Sequence, residues 1–251
     1  MSATVSESKS TISNFGGNVV FQPSAVFTPV DEADLLRIMA EQHGKRLRVV
    51  GRLHSWSDVV RAEEVLIDLR RFDQLSVAPN GERRIARIGA GVQVKIVLER
   101  LDAQGLAPPA VGLISEQALV GAVSTGTHGS GRHSLSHYIS AARVATYDAA
   151  TGEPVVREIR DGDELRAIRC GLGCFGLITE VELPVREQYR VEERFARYKT
   201  LDEVLAAERD EPLQQFFFVP WQWNYLAQHR HETLAPRSWL ATLYRWYWYL
   251  T

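Results

Sequence analysis

The 251-residue sequence has only two cysteines, Cys170 and Cys174. That excludes a disulfide scaffold and fits a reducing compartment. It has little net charge: 29 Lys and Arg against 31 Asp and Glu leave −2. The clustered basic surface of a nucleic-acid-binding protein is therefore absent, and no nucleic-acid partner is expected. No run of about 18 apolar residues occurs, so no membrane span is expected. The N-terminal MSATVSESKSTISN lacks the apolar stretch of a signal peptide, and the protein is expected in the cytoplasm. The aromatic stretch around 239–251, SWLATLYRWYWYLT from Ser238, leaves open a peripheral contact with a membrane surface.

What is present is the composition of a globular protein, 45% apolar and 24% charged, long enough for one large domain or two small ones. Residues 1–14 are polar and are expected to be disordered. VVF (19–21) reads as a strand. Asp31 is a plausible N-cap for a helix carrying Leu35, Leu36, Ile38 and Met39 at helical spacing and ending at His43-Gly44. RLRVV (46–50), VLIDL (65–69) and RIARIGAG (84–91) read as strands, and 92–105 as a helix closed by Gly105. ISAARVATYD (139–148) and PVVREI (154–159) read as strands joined by a turn. A short helix (161–170) and the strand LITEVELPV (177–185) follow. The pattern predicts an α+β or mixed fold. From 186 the texture changes to a charged strand, a short helix (201–210) and an apolar strand (214–221), so 15–185 and 186–251 are expected to be separate domains.

GLGCFG (171–176) matches the G-x-G-x-x-G dinucleotide fingerprint. That motif works only when a strand precedes the glycines and a helix follows, bringing a helix N-terminus to the pyrophosphate. Here a helix precedes and a strand follows, so the glycines read as a turn. His128, His133 and His137 suggest a metal site at first sight. Two of them are four apart, but a glycine-rich loop is no preformed ligand shell, and no metal is expected. The spacing of Cys170 and Cys174 is not that of a thioredoxin-like redox pair.

Two loops rich in Gly, Ser and Thr remain: GRLHSWSD (51–58) and GAVSTGTHGSG (121–131). Such loops turn backbone N–H groups and hydroxyls toward one point, which suits a phosphate. Taken singly, each could equally be an ordinary surface loop.

In order, VVGRLHSWSD, IGAG, GLISEQALVGAVSTGTHGSG and GLGCFGLITEVELPV resemble the flavin-binding domain of the vanillyl-alcohol oxidase (PCMH-type) superfamily. Within that superfamily they resemble the branch of the sugar-lactone and alditol oxidases. GNVVFQP and TPVDEADLLRIM resemble the start of that branch, and the resemblance covers about 15–190. It implies two α+β subdomains holding FAD, with a cap domain beginning in 186–251. It implies FAD contacts from Val50, Gly51, Arg52, Leu53, His54, Ser55 and Trp56, and from Leu113, Ser115, Ala118 and Gly121. Ser124, Thr125, Gly126, Thr127 and His128 would line the phosphate and ring region, and Ile178 the adenine or ribose side. His54, in the G-x-x-H-S pattern, would carry the flavin on its 8α-methyl group, since a neutral imidazole nitrogen is a competent nucleophile. Non-covalent FAD beside a hydrogen-bonding His54 stays open.

The resemblance further implies hydride removal from a CH–OH group of a sugar lactone, alditol or related polyol, with O₂ or another electron acceptor. The branch's C-terminal His-Trp-Gly-Lys motif is absent, so the catalytic residues stay unassigned and the chain is expected to be a fragment or truncated product. A flavin-binding module without catalysis and a non-covalent reductase of the sterol-reductase kind are the alternatives.

Overall fold

In the computed structural model, residues 4–6, 11–81, 83–130, 133–210, 214–236 and 238–243 are described. The chain divides into two units, Met1–Gly129 with His133–Glu187, and Ser130–Arg132 with Gln188–Thr251. The first unit runs β1 (Thr4–Ser6), β2 (Ile12–Ser13), β3 (Val20–Phe21), β4 (Ala25–Thr28), α1 (Glu32–Glu41), β5 (Leu47–Val50), β6 (Val65–Asp68), β7 (Leu75–Asn80) and β8 (Arg83–Gly89). It continues with α2 (Val94–Asp102), β9 (Leu106–Ala107), α3 (Leu119–Ser124), β10 (Ala141–Tyr147), β11 (Pro154–Ile159), α4 (Gly162–Ile168) and β12 (Leu177–Glu187).

Two sheets organise this unit. One has the order β1-β4-β6-β5, with β6 parallel to both β4 and β5. All four residues of β6 are buried, as a central parallel strand covered on both faces requires. Val65 and Ile67 point into the larger core, while Leu66 points into a smaller one with Val19, Phe21, Val50 and Val60. The other sheet is antiparallel, order β11-β10-β12-β8-β7, with β9 on β12. Helix α1 begins where Asp31 accepts the Asp34 N–H at 2.8 Å, the expected N-cap. Its Leu35, Ile38 and Met39 share one apolar core with Phe27 and Ile67 of the first sheet and Ala142 and Val144 of the second.

The segment 1–14, expected to be disordered, is paired wherever it is described. Thr4–Ser6 adds to the open edge of β4, and Ile12–Ser13 pairs with Val20–Phe21. A free strand edge offers backbone partners to any extended segment, and TVS is extended by its β-branched residues. Asn14, at the end of this segment, is buried.

The second unit holds β13 (Arg190–Tyr198), α5 (Leu201–Glu208), β14 (Gln215–Val219) and β15 (Asn224–Thr233). The strands form an antiparallel sheet with β15 in the middle. Thr200 and Glu203 make a capping box for α5. His229 is buried, with Nε2 2.9 Å from the Tyr198 hydroxyl. Phe216, Phe217 and Phe218 on β14 are exposed. Of the aromatic end, 244–251 lies outside the described residues; Trp239 is exposed. No helix among the described residues is long and apolar enough to cross a membrane.

Candidate functional site

Strand β5 is an edge strand, and the chain leaves it at the buried Val50. At Gly51 a Cβ would come within 2.9 Å of the Ala118 Cβ. Glycine is what lets the loop approach the start of α3 so closely. Leu53 follows in the left-handed region, φ 56°, which costs an L-residue about 1–2 kcal/mol. It is held there by its carbonyl, which accepts the Phe15 N–H at 2.8 Å, and by its packing on the smaller core. From Gly51 to Trp56, no backbone N–H donates to an acceptor among the described residues. Six donors in a row are thus left for something else.

The opposite wall is α3. Its N-cap Ala118 is buried, and the Leu119 N–H is tied to the Val92 carbonyl at 2.9 Å. Gln117, just before it, has a buried Oε1 with no hydrogen-bond partner among the described residues. The Ser124 and Thr125 hydroxyls donate back to the Val120 and Gly121 carbonyls at 2.8 and 3.1 Å. They therefore offer a ligand lone pairs rather than protons. A third wall is the turn after α4, where Leu172 (φ 52°) donates its N–H to the Ser124 carbonyl at 3.1 Å.

These walls enclose a cavity of about 320 Å³, within the range of small-molecule sites. Val49, Val50, Val59, Val60, Leu69, Ala90 and Val120 give it an apolar lining. Among the described residues, its ionisable lining groups are Arg48, Arg52 and His54, with no carboxylate. Among the described residues, both guanidiniums hydrogen-bond to carbonyls alone: Arg52 Nη2 lies 3.3 Å from the Gly91 oxygen and Arg48 Nη1 3.4 Å from that of Leu172. Nearby, the Lys95 ammonium bonds Glu116 at 2.8 and 3.1 Å and holds its carboxyl below the usual range, helped by Gln93.

Of the residues singled out in the sequence, Val50, Gly51, Arg52, Leu53, His54, Ser55, Trp56, Ala118, Gly121, Ser124, Thr125 and Ile178 line this cavity. Leu113, Ser115, Gly126, Thr127 and His128 do not. Leu113 is fully exposed. The Ser115 carbonyl accepts the Lys95 N–H, the Thr127 carbonyl accepts the Leu135 N–H, and His128 Nδ1 lies 3.0 Å from the Gly129 oxygen. Gly126, at φ 72°, backs onto Cys170. The GLGCFG turn has α4 before it and β12 after it, so the Rossmann context is indeed missing, yet Leu172, Gly173 and Gly176 line the cavity. Arg48 and Gln117 are not among the residues singled out; Arg48 reads as one polar residue in a strand, and Gln117 lies inside GLISEQALVGAVSTGTHGSG without a contact of its own implied there. No cluster of metal-ligating side chains occurs among the described residues.

The donor set fits FAD. An apolar cavity with unpaired backbone N–H groups, two guanidiniums without a carboxylate partner and an orphaned amide oxygen matches a ligand with an aromatic body and a diphosphate. Comparison with known proteins agrees. Residues 23–154 match the FAD binding domain family. The chain is 48% identical over 235 residues to a protein named long-chain alcohol oxidase from an uncultured marine euryarchaeote, covering 94% of this chain and 49% of that one. It is 29% identical over 228 residues to the L-gulono-1,4-lactone dehydrogenase of Mycobacterium tuberculosis, covering 88% and 52%. The chain thus spans about half the length of these curated relatives. The fold matches a crystal structure of cholesterol oxidase from B. sterolicum at a TM-score of 0.76 and 13% identity, over 94% of this chain and 49% of that one. The chain belongs to the FAD binding domain family of PCMH-type flavoproteins.

Proposed function

We propose that this chain is the flavin-holding part of an oxidase that takes a hydride from a CH–OH group, with FAD joined to His54. The observation that carries the proposal is the cavity itself: the loop Gly51–Trp56 presents unpaired N–H groups, and His54, on the same wall. Bound FAD would supply the hydride acceptor. The protein's own part is to hold it. The Gly51–Trp56 amides, Arg48 and Arg52 would bind the anionic centre, Gln117 Oε1 would accept a hydrogen bond, and the valine-rich walls would exclude water.

Two substrate classes have support. The ordered motifs resemble the sugar-lactone and alditol oxidases, and L-gulono-1,4-lactone dehydrogenase is among the relatives. The more similar relative carries the name of a long-chain alcohol oxidase, which favours an aliphatic alcohol as the second reading. O₂ is the proposed acceptor. Of the 239–251 stretch, for which the sequence leaves a peripheral membrane contact open, most lies outside the described residues, and no membrane contact is part of the proposal.

The test is a peroxide assay of the purified, FAD-loaded chain against aldonolactones, alditols and primary alcohols of graded length. Peroxide with one class assigns the substrate. A yellow protein that yields no peroxide with any donor reduces the proposal to a flavin-binding module. A colourless protein that does not take up FAD overturns it.

A further inference from the structure

We infer that Phe15 and Asn14 are positioning residues for His54, setting its ring and the backbone around it for the flavin; the inference rests on the reading of His54 as the attachment point.

Phe15 is a large apolar side chain left two-thirds exposed, at 67%. It serves no core. Its ring lies flat on the His54 imidazole, centroids 4.7 Å apart at 22°, and edge-on to Trp56 at 6.3 Å and 86°. Neither ring nitrogen of His54 has a hydrogen-bond partner among the described residues, so this stacked face is what orients the imidazole. Such aromatic contacts contribute beyond area burial.

The backbone is gripped from the same segment. Phe15 N–H donates to the Leu53 carbonyl at 2.8 Å. Asn14, only 4% exposed, donates from Nδ2 to the Ser55 carbonyl at 2.9 Å and to Asn18 Oδ1 at 2.8 Å, while its Oδ1 accepts the Val19 N–H at 3.0 Å. Asn18 Nδ2 donates to the Trp56 carbonyl at 2.9 Å. Gly16 lies against the Trp56 indole, where a Cβ would meet ring carbon at 2.4 Å. Three carbonyls of the loop are thus held on one side. In a trans peptide the following N–H points the opposite way. The clamp therefore turns the N–H groups of His54 and Trp56 away from itself, where they remain without an acceptor among the described residues.

The step that needs this order is the joining of an imidazole nitrogen to the flavin methyl carbon. One N–H and one C–H bond are replaced by one N–C bond. Two protons leave to solvent, and two electrons pass through the flavin to O₂, giving hydrogen peroxide. The reacting atoms must be held in line, and small misplacement costs up to about a hundredfold in rate.

The experiment uses the full chain produced without flavin, mixed with FAD in air, and followed as flavin retained on the acid-precipitated polypeptide. We expect Phe15→Leu to slow retention about tenfold to a hundredfold with an unchanged Tm, and Phe15→Trp, which keeps a stacking face, to restore most of the rate. Asn14→Asp keeps the acceptor for Val19 and removes the donor to Ser55; it should weaken FAD binding by apoprotein titration about tenfold. Phe15→Leu at the wild-type rate, or slowed equally with Phe15→Trp, overturns the role of the stack. Unchanged FAD affinity in Asn14→Asp overturns the role of the clamp. A wild-type chain that never acquires acid-stable flavin, while still binding FAD, overturns the reading of His54 instead.

Discussion

At Gly51 the distance to Ala118 turns one absent methyl into a requirement. Gly51→Ala is expected to push the loop off α3 and to weaken FAD binding about tenfold or more, and adding Ala118→Gly should recover much of the loss, because the two sites share one contact. Equilibrium FAD titration of the two single variants and the double variant checks this; additive losses would contradict it. His54 was legible in the sequence because Gly, His and Ser lie within five residues. Asn14 was not. Its main partner, Ser55, is 41 residues away, and an asparagine at the edge of a polar segment gives no periodic signal. Arg48 and Gln117 were hidden in the same way: their meaning comes from a missing partner, which only the fold reveals.

Between elements, an ion pair helps tie α1 to the second sheet. Arg143 on β10 donates to both oxygens of Glu32 at 3.0 and 2.6 Å, and Thr179 on β12 adds a bond at 2.7 Å. The Arg143 guanidinium holds the Glu32 carboxyl below the usual range against the opposing effect of burial. A carboxylate lowered in the folded state stabilises it above the unfolded value, and that contribution is lost as pH falls through the folded value. Glu32→Gln should cost about 1 kcal/mol at neutral pH, the pair being partly exposed. The gap to wild type should narrow below about pH 4.5. Denaturant unfolding over that range checks the sign; a gap that widens in acid would contradict it.

The elements legible in the sequence were those with strong periodicity, such as α1, β6, β8 and β10 to β12. β7 was missed because Pro79 and Asn80 argue against a strand; it is tolerated as the edge of its sheet. α3 was missed because its six residues, LVGAVS, sit inside a Gly/Ser/Thr stretch that reads as loop. β15 was missed because NYLAQHRHET is polar, yet it is the middle strand of its sheet, flanked on both sides.

For the molecule as a whole, two separate units imply two responses. The cavity is lined entirely from the first unit. FAD at about a hundred times its Kd should therefore stabilise that unit by about 2.7 kcal/mol and leave the second unit's transition in place, as scanning calorimetry would show. Ile67→Ala, at a fully buried position of the larger core, should cost about 2–5 kcal/mol in the same transition. Fold and cofactor were readable because ordered motifs survive in sequence. The catalytic group was not, since no matching motif occurs in the 251 residues.

The central claim is that the loop leaving β5 holds FAD through His54. The measurement that tests it most directly is flavin retained on the acid-precipitated polypeptide, located by mass spectrometry of its peptides, for wild type and His54→Ala. The account predicts one flavin on the peptide containing His54 in the wild type and none in His54→Ala, which should still bind FAD reversibly. Flavin retained by His54→Ala, or attached at another residue, would contradict it.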